Sequence, residues 1–172
     1  EIVADESYGD NDNDFKAQLT NIAGQNPDVL VIPDYYEKVA LIAPQARQVG
    51  IEATFLGADG WDGTIVAMDA ASHADIENSY FTNHFSLEDD SEKVRTFIDK
   101  YTEEFGEDPT AFSALGYDAV YLYKQAMEAA GTEEFDAVVT AIDEASFEGV
   151  TGSFTFNENN NPIKSATMIR IE

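Results

Sequence analysis

Hydrophobic and polar positions alternate along the first half of the chain as short apolar strands and longer amphipathic helices. Strand-like runs are found at Ile2–Ala4, Asp28–Ile32, Thr54–Leu56 and Tyr80–Asn83. Helical spacing of apolar residues predicts helices near 15–23, 36–49 and 64–71 between them. The second run is continuously apolar, which is typical of a parallel strand buried on both faces. The alternation predicts parallel strands joined by right-handed crossovers, with helices covering both faces of the sheet.

Two features concern individual helices of this half. Asp12 or Asp14 can cap the helix that begins near Phe15, because a short acidic side chain accepts the free N–H groups of a first turn. Pro44 lies inside the second helix and has no backbone N–H. We therefore expect the second helix to kink at Pro44, or its first half to end there.

The second half of the chain is mostly helical. An acidic, polar stretch at 86–90 has the composition of a linker, and an amphipathic helix follows at 91–105. Two further helices, near 112–130 and 135–145, have no strand between them. In the last part of the chain, the pattern predicts strands at 152–156 and 166–171, on either side of the loop Asn157–Pro162.

The net charge and the composition of the chain exclude several classes of binding partner. The chain has 172 residues, and 34 acidic against 9 basic residues give a formal net charge of -25. No basic run is present, so nucleic acid is excluded as a partner and an anionic membrane would repel the chain. The longest unbroken run of Val, Leu and Ile is Val29–Ile32, far below the roughly 18 residues of a membrane span. The absence of cysteine fits an exported protein without establishing one.

The ends of the predicted strands define a candidate small-molecule site. Ligands of parallel α/β sheets bind where the carboxyl ends of the strands meet. Three neighbouring strands end in Pro33–Tyr36, Gly57–Trp61 and Thr82–Phe85, which bring acids, aromatic rings and a histidine to one rim. The glycines in the second segment allow sharp turns and close approach to a ligand.

Asp59 is the charged candidate at this rim. A carboxylate beside Trp61 at a strand end is suited to receive an ammonium group, since charge-assisted hydrogen bonds are strong. The alternative is a turn or helix cap, because Asp before Gly is common in turns. Trp61 itself is either a wall of the cleft or a residue that packs under a helix.

The other candidates are aromatic or titratable. Tyr35 and Tyr36 offer flat faces and hydroxyls, and one of the two is expected to pack under the following helix. His84 is a lone histidine at the end of a strand, where a structural or hinge role is more common than a catalytic one.

No motif for catalysis, a metal or a cofactor is found. The chain has no nucleophile elbow, zinc-protease motif or phosphate loop, so neither an enzyme nor a cofactor is predicted. Asp10–Asp14 begins like a calcium loop, but Phe15 stands where its glycine belongs and Asn21 where its glutamate belongs. A small α/β enzyme that uses paired acids remains the alternative from another class.

Ordered motifs along the whole chain resemble the branched-chain amino-acid type of periplasmic-binding-protein-like solute receptors. These motifs are Pro33–Glu37, Gln45–Ile51, Phe55–Trp61, Tyr80–Ser86, Ala114–Val120 and Phe147–Gly152. The resemblance implies a two-lobed receptor, without chemistry of its own, that closes on an amino acid and passes it to the membrane permease of an ABC transporter. It also implies an extracytoplasmic location, in the periplasm or at the cell surface, with a lipid anchor as one option. A ligand-sensing domain of the same fold in a signalling protein is the alternative.

The resemblance further implies a fold class and a division of the chain. The fold is an α/β, parallel-sheet lobe of the type I periplasmic-binding-protein-like class, with helices of an incomplete second lobe. Family members are about twice as long, so residues 1–86 would form the carboxyl-terminal lobe without its first strand-helix unit. Residues 87–150 would be helices of the other lobe, and 151–172 the crossover and returning strands. We expect these helices to expose apolar surface, or to bind a second copy or the missing half.

The resemblance also assigns roles within the site. Asp59 matches the acid that receives the ligand's α-ammonium, and Tyr35 or Tyr36 matches the aromatic contact of the same lobe. Phe112 corresponds to a cleft position on the other lobe. His84 would lie at the hinge or cleft rim.

Overall fold

The structure is a computed structural model that describes all 172 residues. The chain forms two compact units. The sheet unit consists of Glu1–Thr82 and Met168–Glu172, and the helical unit consists of Asn83–Thr167. The predicted division at 86 and 150 concerns the lobes of a longer protein and stays a prediction.

The sheet unit contains three parallel strands in chain order. Strands β1 (Val29–Val31), β2 (Thr54–Gly57) and β3 (Tyr80–Asn83) are neighbours, and β7 (Thr167–Arg170) lies beside β3. The helices are α1 (Lys16–Ala23), α2 (Tyr36–Gln48) and α3 (Thr64–Ala67), with 3-10 turns at Asp59–Trp61 and Ala70–Asp75. The predicted α/β class with parallel strands is confirmed.

Apolar residues from the strands and helices form one core in this unit. Its most buried members include Phe15, Val39, Phe55 and Ile76. Arg47 at the end of α2 spans three segments, because its guanidinium donates hydrogen bonds to the carbonyls of Ile51, Ala53 and Asp75 at 2.7 to 3.0 Å. The same group stacks 3.9 Å from the centre of the Phe55 ring.

Two strand predictions are wrong. Ile2–Ala4 forms no strand, and the side chains of Ile2 and Val3 are 85% and 50% exposed. A strand needs a neighbouring strand to pair with, and this segment has none in the sheet. β1 is not buried on both faces, because Val29 and Val31 are 43% and 61% exposed. β1 is the edge strand of the four-stranded sheet.

The helix predictions hold with corrections at their ends. α2 runs through Pro44 as one helix, so the expected end of its first half is wrong. Asp14 is the acid at the start of α1, where its Oδ1 accepts the backbone N–H of Lys16 at 3.0 Å. The third predicted helix is shorter, because α3 ends at Ala67 and a 3-10 turn begins at Ala70.

The helical unit is built on three helices and a small antiparallel sheet. The helices are α4 (Glu92–Phe105), α5 (Ala111–Ala130) and α6 (Phe135–Asp143). The sheet consists of β4 (Phe147–Gly149), β5 (Gly152–Phe156) and β6 (Pro162–Ile163). Strands β4 and β6 were not predicted, because three and two residues are too short to show a period. The core of this unit includes Phe85, Val94, Phe97 and Ile98.

The helical unit carries a row of four aromatic rings, three of them exposed, as the resemblance leads us to expect. Tyr101 and Phe105 on α4 are 4.6 Å apart between ring centres, and so are Tyr117 and Tyr121 on α5. We call these four residues the aromatic face. Phe105 is 63% exposed, and a groove of about 730 Å³ between the two helices runs past three of the rings. The prediction of exposed apolar surface is confirmed.

None of the helices combines the length and the hydropathy that a membrane span requires.

Candidate ligand site

The candidate site in the sheet unit lies at the carboxyl ends of β1 and β2. β1 runs into Ile32 and Pro33 and then into the loop that starts α2, while β2 ends at Gly57. The 3-10 turn Asp59–Trp61 follows immediately. Because these strands are parallel neighbours, both loops emerge at the same edge of the sheet.

Trp61 links the ends of β1 and β2 through a hydrogen bond and through the packing of its ring. Its indole Nε1–H donates a hydrogen bond of 2.8 Å to the carbonyl of Ile32, and its ring stacks on Phe81 with 6.2 Å between ring centres. A Cβ atom on Gly57 would lie 2.1 Å from the Trp61 ring, so the ring occupies the space that a side chain at 57 would need. Trp61 is 1% exposed. Of the two roles considered for Trp61, a wall of the cleft or a packing residue, the structure shows the packing role. The buried ring supports the two loops by packing at the strand ends from which they emerge.

A second close approach joins the two loops. A Cβ atom on Gly60 would lie 2.9 Å from the carbonyl oxygen of Asp34 and 3.3 Å from the Cα of Tyr35. Glycine at 60 therefore lets the turn that contains Asp59 touch the loop that contains Tyr35. The structure brings these two predicted site residues onto adjacent loops.

Asp34 is the other acid at this edge and has a structural role. Its Oδ1 accepts the backbone N–H of Tyr35 at 2.7 Å, and its Oδ2 accepts the hydroxyl of Tyr8 at 2.6 Å. Burial, this hydrogen bond and the charge of Asp34 together raise the pKa of the Tyr8 hydroxyl above its usual value. Both oxygens of Asp34 thus hold the loop in place.

The remaining sheet-unit candidates occupy different environments. Tyr35 is 60% exposed, and Asp59 and Tyr36 are half-buried. Tyr36 is thus more covered than Tyr35, and the packing of one ring under α2 stays a prediction.

His84 and Phe112 belong to the helical unit. The half-buried His84 directly follows β3, and its backbone N–H donates to the side chain of Asn83 at 2.8 Å. Phe112 lies in the first turn of α5 and is 38% exposed. The predicted site is therefore divided between the two units, and its division between two lobes stays a prediction.

No group of three or more His, Asp or Glu side chains is arranged to hold a metal ion. In the stretch 10–14, Asp12 instead accepts the backbone N–H of Gly9 at 2.8 Å and Asp14 begins α1.

Sequence reasoning missed the supporting roles of Tyr8 and Asp34. Asp34 was recognised only as an acid at a strand end, and nothing in the local pattern indicates that Tyr8, 26 residues earlier, is its partner. An acid in the short loop between a strand and a helix is nevertheless a usable signal for a residue that bonds its own loop.

The family described as "Periplasmic binding protein" matches residues 1–172. The chain belongs to this family. Among its relatives is the leucine-, isoleucine-, valine-, threonine- and alanine-binding protein of Pseudomonas aeruginosa, which is 27% identical over 161 residues. That match covers 91% of this chain and 41% of the relative.

Solved structures agree with this assignment. The branched-chain amino acid transporter substrate-binding protein LivJ of Streptococcus pneumoniae, in complex with isoleucine, is 35% identical with a TM-score of 0.84, covering 98% of this chain and 48% of that one. The leucine-binding protein LivK of Thermotoga maritima is 31% identical with a TM-score of 0.84, covering 96% and 47%. The chain thus spans somewhat less than half the length of the relatives it matches. These matches confirm the resemblance and the type of fold.

Proposed function

We propose that this chain forms part of an extracytoplasmic receptor that binds an amino acid, with branched aliphatic amino acids as the first candidates. The observation that carries the proposal is the pair of joined loops at the carboxyl ends of β1 and β2, which present Asp59 beside Tyr35. Membership of a family of binding proteins supports this reading over that of an acid-base enzyme.

In this proposal each candidate residue has a defined task. Asp59 accepts the ligand's α-ammonium by charge-assisted hydrogen bonds. Tyr35 and Tyr36 supply aromatic surface, while Trp61 keeps the loops rigid without touching the ligand. Phe112 and His84 stay candidate cleft and rim residues within the helical unit. The groups that hold the ligand's α-carboxylate belong to the part of the longer protein that this chain does not span.

The same proposal gives the chain two partners besides its ligand. The permease of an ABC transporter receives the amino acid, which is supported by the similarity to LivJ, a branched-chain amino acid transporter substrate-binding protein. The aromatic face of the helical unit contacts the remainder of the longer protein, and a separate fragment would associate with itself there. A lipid anchor is one way in which the receptor stays at the membrane surface.

Calorimetry with a panel of L-amino acids tests the proposal on the protein at its natural length. We expect saturable binding of isoleucine, leucine or valine, and we expect Asp59→Asn to weaken it by roughly 1.5 to 3 kcal/mol, the range for hydrogen bonds to charged groups. Glu77→Gln makes the same change of charge at an exposed position of the same unit and is expected to leave affinity unchanged. Wild-type affinity in Asp59→Asn would remove Asp59 from the site. No response to any amino acid would redirect the search to other small solutes.

A further inference from the structure

A buried carboxylate in the helical unit takes no part in the site described above. Asp118 lies within α5 and is 4% exposed. Its Oδ1 accepts the backbone N–H of Val150 and its Oδ2 that of Thr151, each at 2.8 Å. The hydroxyl of Thr151 also donates to Oδ2 at 2.7 Å. Both carboxylate oxygens are therefore bonded to one short turn of the chain.

That turn is the connection between β4 and β5. Gly149 pairs with Gly152, so Val150 and Thr151 form a two-residue hairpin loop. Hairpin loops normally lie in solvent, yet these two residues are 4% and 3% exposed. A Cβ atom on Gly149 would lie 2.2 Å from the Asp118 carboxylate, so only glycine at 149 allows this approach. The hairpin loop is thus held in contact with the Asp118 carboxylate.

Lys164 extends the same network. Its Nζ donates a hydrogen bond of 2.9 Å to the Thr151 hydroxyl and lies 5.2 Å from the centre of the Phe154 ring. The Thr151 hydroxyl therefore donates to Asp118 and accepts from Lys164, which links three side chains in a row. Such a network is costly to break, because each buried member would lose its partner.

The position of Lys164 along the chain places the hydrogen-bond network close to a connection between the two units. Lys164 follows β6 directly and comes three residues before Thr167, where the chain leaves the helical unit for the sheet unit. The chain passes between the units at one other place, between Thr82 and Asn83. The network thus holds the start of one of the two connections between the units.

We propose that Asp118, Thr151 and Lys164 form a lock that positions the segment 164–167 on the helical unit, and that ligand affinity depends on this lock. The second part rests on the proposed function, because the segment 164–167 leads into β7, which belongs to the same sheet as the strands that carry the candidate site. The three residues are positioning residues, since the proposed ligand contacts are made elsewhere.

Thr151→Val tests the lock with little change of shape. Valine removes the bridging hydroxyl but keeps both backbone N–H bonds to Asp118. We expect hydrogen exchange at the amides of residues 150 and 151, which are bonded to Asp118, to become about tenfold faster, since local opening then breaks fewer hydrogen bonds. Thr155→Val, at an exposed position of β5, is the matched control and is expected to leave these amides unchanged.

Lys164→Met removes the same hydrogen bond by replacing its donor instead of its acceptor. It is expected to speed exchange of the same amides to a similar extent, and the double variant to exchange no faster than either single one. Lys124→Met removes an equal charge at an exposed position of α5 and serves as its control. Unchanged exchange at residues 150 and 151 in Thr151→Val, or equal acceleration in Thr155→Val, overturns the lock.

The dependence of affinity on the lock needs its own readout. Calorimetry with isoleucine on the protein at its natural length is expected to show affinity several-fold weaker in Thr151→Val and unchanged in Thr155→Val. Faster exchange with wild-type affinity overturns this part of the proposal. If the wild-type protein binds no amino acid, the proposed function fails, and the exchange measurement alone decides whether the lock exists.

Discussion

Trp61 shows how one side chain organises the edge of the sheet that carries the candidate site. Its ring fills the space above Gly57, and its N–H satisfies the carbonyl of Ile32 at the end of the neighbouring strand. The sequence pattern left open whether Trp61 lines a cleft or packs, because both roles place a tryptophan after a strand. Only the three-dimensional neighbours of the ring decide between these roles.

Replacing Gly57 tests this packing directly. Gly57→Ala places a methyl group 2.1 Å from the Trp61 ring, so we expect the free energy of unfolding to fall by about 1 to 3 kcal/mol, as for overpacked cores. Gly116→Ala is the matched control, because a Cβ there meets nothing within 4 Å in the middle of α5. The control is expected to raise stability by about 0.5 to 1 kcal/mol. Denaturant unfolding measures both, and equal effects of the two variants would contradict the account.

The hydrogen bond from Tyr8 to Asp34 predicts a dependence of stability on pH. Because the folded protein raises the pKa of Tyr8, it holds this proton more tightly than the unfolded chain, whose tyrosines titrate near roughly 10. The contribution of Tyr8 is complete below that pH and is lost as the pH rises towards the pKa of the folded state. Tyr8→Phe is therefore expected to lose less stability than the wild type between pH 9 and 11. Parallel stability curves for the two proteins, measured by denaturant unfolding, would exclude this coupling.

Among the elements, Arg47 connects the end of α2, the entry to β2 and the 3-10 turn at Ala70–Asp75. Its planar guanidinium reaches three carbonyls and stacks on Phe55, which an ammonium group cannot reproduce. We expect Arg47→Lys to lower the free energy of unfolding by roughly 2 to 4 kcal/mol, since buried carbonyls lose charged donors. Arg170→Lys, at an exposed site, is expected to stay within about 0.5 kcal/mol of the wild type. Similar losses in both variants would refute the special role of Arg47.

The local sequence pattern predicted most helices and strands. It failed where the structure of a segment depends on another segment that packs or pairs with it. β3 has its predicted bounds, Tyr80–Asn83, because turn residues flank a short apolar run. Ile2–Ala4 has equally good strand residues but no strand to pair with. Val29 and Val31 are apolar and nevertheless exposed, because burial depends on what covers the sheet. The strand ends located Asp59 and Tyr35 at one edge, whereas the Asp118 network joins residues 33 positions apart and has no local signal.

At the scale of the whole molecule, two features describe its surface. The formal charge of -25 is spread along the chain, and the helical unit exposes the aromatic face between α4 and α5. A monomeric protein rarely leaves such an apolar surface uncovered. The chain spans somewhat less than half of the relatives it matches, which supports the proposal that the remainder of a longer protein covers this face.

Dye binding tests the exposure of the aromatic face in the chain alone. We expect the chain to bind the neutral dye Nile red, and the double variant Phe105→Lys with Tyr121→Lys to bind several-fold less, because both side chains are exposed members of the aromatic face. Ala129→Lys, also exposed on α5, controls for added positive charge. Fluorescence titration decides the matter, and equal dye binding by the double variant and the control would place the apolar surface elsewhere.

The central claim is that Asp59 receives the α-ammonium of an amino acid. The most direct measurement is calorimetry of wild type and Asp59→Asn, at natural length, with isoleucine and with 3-methylpentanoate, which lacks only the ammonium group. The account predicts that the wild type prefers isoleucine by roughly 10-fold or more, the equivalent of one hydrogen bond to a charged group, and that Asp59→Asn loses most of this preference. An equal preference for isoleucine in both proteins would contradict the claim.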